Sequence, residues 1–144
     1  MNKKEARRAS RIIAVEALFA FLERGGSVSA SDCLDHVIAY VEEKEKDEFA
    51  REIVQTAVEN SAKLKIVIKA FAPEFPFHKI APINRALLLL GLAEMKYVGT
   101  PPVVVINEYI ELAKLFGEKK SAGFINAVLD SFRQSAKLDE RKED

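Results

Sequence analysis

Apolar positions return every three or four residues along most of this chain, the period of helices that each bury one face. Ile12, Val15, Leu18, Phe19 and Leu22 mark the first such face and predict a helix over about 4–24. The "RGGS" after it brings glycines suited to a helix end. Ser29 or Ser31 can cap a second helix carrying Cys33, Leu34, Val37, Ile38 and Val41. A charge-dense turn, "EEKEKDE", follows. A third helix is expected over about 47–70, with Phe49, Ile53, Val54, Ala57, Val58, Leu64, Val67 and Ile68 inward.

The proline-rich "FAPEFPFHKIAP" then interrupts the pattern and reads as a hinge. Beyond it, "INRALLLLGLAEM" is apolar on most sides, which marks the helix over about 82–98 as the central one. Pro102 suits the first turn of a fifth helix, 102–116, which Gly117 ends. Ser121 is placed to cap a sixth, 121–135, with Phe124, Ile125, Val128, Leu129 and Phe132 buried. The expected fold is all-α: one domain over 1–144, made of two packed three-helix subdomains, 1–72 and 80–136, with a flexible tail at 137–144.

Composition narrows the function. The 144 residues are 49% apolar and 31% charged, as in a soluble globular domain. The single cysteine, Cys33, cannot form a disulfide within the chain, which points to a reducing cytoplasm. His36 and His78 have no companion at metal-ligand spacing, and no cofactor is expected. No nucleophile elbow, glycine-rich phosphate loop or paired-histidine helix stands out, so an enzyme is not expected.

Charge is balanced overall, 22 Lys and Arg against 22 Asp and Glu, yet "KKEARRASR" at residues 3–11 holds five cations and one acid. On a helix, Lys4, Arg7, Arg8 and Arg11 fall within an arc of roughly 100° that continues the core-facing stripe along the axis. Charges there would be unsatisfied if buried, so the first two turns are expected to overhang the bundle or fray until a polyanion arrives. A second basic corner is "FGEKKSAGF". With Ser121 as cap, the amides of Ala122, Gly123 and Phe124 would be free beside Lys119 and Lys120. Phe19 and Phe124 are core candidates that can also offer a ring to a base. Asn107 and Asn126 are expected to pair between helices. Arg85 and Glu94, nine positions apart, are expected to pair across the subdomains or with a partner protein.

The segment "PPVVVINEYIELAKLFGEKKSAGFINAVLDSF" resembles the C-terminal signature of the NusB family of bacterial transcription antitermination factors. "ARRASRIIAVEALFAF" is similar to that family's arginine-rich first helix, and "INRALLLLGLAEM" more loosely to its central helix. The chain departs from the family pattern at Ala9, Phe19, Asn84, Leu89, Ala93, Lys120, Gly123 and Ala127. The resemblance implies binding of single-stranded boxA-type RNA together with NusE, the small-subunit ribosomal protein. It also implies work with RNA polymerase on ribosomal RNA operons.

On that basis Lys4, Arg7, Arg8, Arg11, Phe19, Gly117, Lys119, Lys120, Ser121 and Phe124 are the expected RNA contacts, and Asn84, Arg85 and Glu94 the expected NusE contacts. An exposed apolar seam would also let the chain pair with a second copy of itself. Two rivals stand beside this reading. One is a helical protein-interaction module without RNA binding. The other is a stand-alone relative of the NusB-like domain of RNA cytosine methyltransferases, expected to be the weaker because a chain ending near 144 leaves no methyl-donor site.

Overall fold

A computed structural model describes residues 2–41, 47–117 and 119–137. Most of the acidic turn (42–46) and the tail from 138 lie outside the described residues. The described chain is all-α, with seven α-helices and no strand. They are α1 (Lys3–Glu23), α2 (Ala30–Ile38), α3 (Asp47–Glu59), α4 (Ser61–Phe71), α5 (Pro82–Ala93), α6 (Pro102–Phe116) and α7 (Lys119–Ser135). A 3₁₀ turn (Phe77–Lys79) precedes α5, and a π-helical turn (Glu94–Val98) extends it. No helix among the described residues is long and apolar enough to cross a membrane.

The expected third helix is two helices. At Asn60 the backbone leaves helical geometry (φ −109°, ψ 14°), and the Asn60 side-chain amide donates to the carbonyl of Thr56 at 2.8 Å. The same carbonyl accepts the Asn60 backbone amide at 3.2 Å, so the side chain adds a second donor to the last intrahelical bond of α3. "ENS" is a poor helix run, because Asn and Ser compete for nearby backbone groups. The N-terminal half therefore holds four helices, not three.

The end of α5 rests on Gly99, at φ +87°, a conformation that side-chain-bearing residues rarely adopt. The Gly99 amide donates back to the carbonyl of Glu94 at 2.9 Å and closes the π turn. Pro101 and Pro102 then start α6 without a donor to waste.

One core runs through the molecule. Helix α5 is buried along almost its whole length and packs on α1, α3, α4, α6 and α7. Cys33 is a buried free thiol on α2. Both α5 and α6 run from one end of the bundle to the other, so two surface regions form at their opposite ends.

Candidate nucleic-acid interface

The first region gathers around the start of α1. Helix α1 is ordered from Lys3, with the Asn2 side chain accepting the Glu5 amide at 2.8 Å. Lys3 and Lys4 are exposed, and the Arg7 guanidinium lies over the Phe49 ring at 3.8 Å. These side chains line an open cavity of about 710 Å³ with Val98, Thr100 and Val104.

Two of the three expected arginines, Arg8 and Arg11, are already engaged. Arg11 is 3% exposed; its Nε and Nη2 donate to Glu94 Oε2 and Oε1 at 2.8 and 2.7 Å. Glu94 also accepts from the Tyr109 hydroxyl at 2.7 Å and the Thr100 hydroxyl at 2.9 Å. Burial by itself lowers the pKa of the Arg11 guanidinium, but the hydrogen bonds and charge of Glu94 outweigh it and the net direction is upward. The Tyr109 phenol is pushed well above its ordinary value, first by burial and then by the Glu94 charge. Arg8 donates through Nε and Nη2 to both oxygens of the buried Glu108, at 2.8 and 3.2 Å, and its pKa rises through that hydrogen bond and charge.

The first turns of α1 therefore do not overhang the core. The basic stripe enters it because two buried glutamates on the central helix and α6 satisfy the arginines. Arg11 is a structural cation, unavailable to phosphate, and Glu94 is spent on it. Arg8, with a side chain 43% exposed, keeps only an outer edge open.

The second region forms where the 3₁₀ turn, the start of α5, the end of α6 and the start of α7 meet. An open cavity of about 700 Å³ is lined there by Phe75, Lys79, Ile80, Ala81, Ile83, Asn84, Phe116, Gly117, Lys120, Ser121 and Phe124. Phe75 and Phe124 pack edge to face at 5.6 Å. Arg85 donates from Nε to the Ile80 carbonyl and from Nη2 to the His78 carbonyl, each at 2.7 Å, and so staples the turn that carries Lys79. Gly117 is needed for closeness: a Cβ there would meet Ser121 Oγ at 3.0 Å and the Ala113 carbonyl at 3.1 Å.

Several expectations change here. Helix α7 begins at Lys119, two residues early, so Ser121 lies inside its first turn and is no cap. The amides left without intrahelical partners are those of 119–121, not 122–124. Lys120 lines the cavity, while Lys119 is exposed but outside it. Phe19 packs against the core, away from both cavities. Asn107 and Asn126 are both exposed, and no hydrogen bond joins them among the described residues. Arg85 is engaged within its own loop. Lys3, Phe49, Phe75 and Lys79 join the interface unforeseen; the aromatic and basic interleaving of "EFPFHK" was the signal that could have found the last two.

The two regions stand at opposite ends of α6, whose 15 residues span about 21 Å. Between them its outer face exposes Val103, Val104, Asn107, Glu111, Lys114 and Leu115.

The fold and site define a class: a compact protein with seven helices among the described residues and two large open cavities that carry lysines beside aromatic rings, the layout of a binding protein. The model of the NusB family matches residues 8–134, and the chain belongs to that family. It is 36% identical over 132 residues to the transcription antitermination protein NusB of Bacillus pumilus (strain SAFR-032), covering 91% of this chain and 97% of that one. Its fold is similar to that of T. maritima NusB, with a TM-score of 0.84, 25% identity and coverage of 93% and 96% of the two chains. It is also similar to a solved structure of the antitermination factors NusB and NusE in complex with dsRNA (TM-score 0.81, 22% identity, coverage 91% and 98%). Membership makes the chain a transcription antitermination factor, not an enzyme.

Proposed function

We propose that this chain binds single-stranded boxA-type RNA together with NusE, and acts in the cytoplasm within the RNA polymerase antitermination complex on ribosomal RNA operons. The observation that carries the reading is the cavity where Phe75, Phe116 and Phe124 meet Lys79 and Lys120. Rings that can stack on bases, beside cations that can meet phosphates, are what a single strand requires. The similarity to a NusB held with NusE and dsRNA supports the choice of partners. Lys3, Lys4 and Arg7 supply a second set of phosphate contacts. The apolar outer face of α6, with Val103, Val104 and Leu115, offers area to a protein partner or a second copy of the chain.

The commitment of Arg8 and Arg11 to glutamates favours a rival, the protein-interaction module without RNA binding. Co-purification with NusE, with and without a boxA oligonucleotide, separates the two. The proposal expects RNA to strengthen retention of NusE and to bind the pair. Retention of NusE with no RNA bound at any salt concentration would leave only the rival.

A further inference from the structure

We propose that Asn84 reads one base of the bound RNA from inside the second cavity; the inference rests on the RNA-binding reading above. Asn84 sits in the first turn of α5, is 8% exposed and lines the cavity, yet its Oδ1, itself buried, has no hydrogen-bond partner among the described residues. A buried amide oxygen without a partner is rare in a folded protein and calls for a specific explanation. Its neighbour Arg85 cannot supply one, because Arg85 is turned to the carbonyls of Ile80 and His78. No hydrogen bond among the described residues fixes the amide, so a turn about its last torsion can bring the acceptor, now buried, or the donor to a group in the cavity.

The surroundings select the occupant. Phe75, Phe116 and Phe124 ask for a flat apolar body, the Asn84 amide for a polar edge on that body, and Lys79 and Lys120 for a negative charge attached to it. No acidic side chain stands among the described residues that line it. The volume of about 700 Å³ lies in the range of roughly 300–1,000 Å³ usual for ligand sites. One nucleotide unit meets all three demands, whereas an apolar anchor from a protein would leave both lysines unanswered. Amide side chains recognise bases through paired donor and acceptor contacts, so Asn84 adds selectivity where the rings and lysines add only affinity.

The test uses the full chain, a randomised single-stranded RNA pool and sequencing of the bound fraction. The parent, Asn84→Ala and Asn84→Asp are compared, with thermal melting as the folding control; the aspartate, the same size as asparagine, covers the case in which alanine fails to fold. The parent is expected to prefer one base at one position. In Asn84→Ala that preference should fall roughly tenfold, about 1.4 kcal/mol, while preferences at other positions persist. In Asn84→Asp it should move toward bases with an amino donor. Unchanged preferences with RNA binding retained would overturn the role of Asn84 and leave the RNA reading standing. A uniform loss at every position, or a loss of NusE binding alone, would also overturn it. If the parent binds no RNA, the broader reading fails first.

Discussion

Arg11 and Glu94, 83 residues apart in the chain, meet in the core as a two-pronged ion pair with contacts of 2.8 and 2.7 Å. The pair ties α1 to the π turn at the end of the central helix. Tyr109 and Thr100 complete the hydrogen bonding of the carboxylate, so the buried charges are satisfied. The basic first helix thus has two roles divided by depth. Its buried side builds the fold, and of its cations only Lys3, Lys4, Arg7 and the edge of Arg8 face outward.

Removing one member of this pair strands the other. Arg11→Ala or Glu94→Leu is expected to cost about 3–5 kcal/mol in urea unfolding, the usual result for an uncompensated buried charge. The double variant Arg11→Met with Glu94→Leu should recover much of that loss, since an apolar pair avoids desolvation. A single-variant cost near zero would mean that the pair is not closed in solution.

Tyr109 gives the fold a pH dependence on the alkaline side. Its phenol is pushed up in the folded state and ionises at about 10 when unfolded. Above that pH the folded chain holds one more proton than the unfolded chain, so stability falls as pH rises, by about 1.4 kcal/mol per pH unit. Below about 10 the contribution is fully present. Tyr109→Phe should lower stability at neutral pH by about 1–3 kcal/mol through loss of the bond to Glu94, and should flatten the alkaline decline. Parallel declines above pH 10 in the two proteins would contradict this assignment.

Periodicity made the helices legible, and prolines marked the starts of α5 and α6, because both are local properties. The break at Asn60 was hidden: Leu64, Val67 and Ile68 continue the apolar phase of α3, so the pattern runs on across a bent backbone. The burial of Arg11 was hidden for a different reason. A charge on a core stripe reads as overhang until its partner is known, and Glu94 belongs to a distant helix. The second cavity was half legible. "FGEKKSAGF" announced Gly117, Lys120 and Phe124, but Phe75 and Lys79 come from a proline loop 40 residues earlier that reads as a hinge. Only folding puts the four segments around one space.

Gly117 should prove intolerant of even one methyl group. Its φ of −121° is open to any residue, so the constraint is space. A Cβ would press on Ser121 Oγ and on the Ala113 carbonyl, and the carbonyl belongs to the helix backbone and cannot swing aside. Gly117→Ala is expected to cost about 1–3 kcal/mol by overpacking and to shift the start of α7, which carries Lys120. RNA affinity measured by fluorescence anisotropy should fall while NusE binding persists. A variant as stable as the parent, with unchanged RNA affinity, would show that the α6–α7 joint yields more easily than its geometry implies.

The two cation groups can be told apart by salt. If Lys3, Lys4, Arg7, Lys79 and Lys120 together neutralise four or five phosphates, log K for single-stranded RNA should fall with log salt at a slope of roughly −3. Lys79→Ala with Lys120→Ala should reduce its magnitude by about 1.4, and so should Lys3→Ala with Lys4→Ala. None of these exposed side chains holds the fold, unlike Arg11, whose removal would confuse binding with unfolding. Because the groups lie about 21 Å apart along α6, RNA length adds a second axis. Oligonucleotides of about 4 nucleotides should sense only one pair of substitutions, and those of about 16 should sense both. If long RNA responds to the Lys79 and Lys120 pair alone, the α1 end carries no RNA and is left for a protein partner.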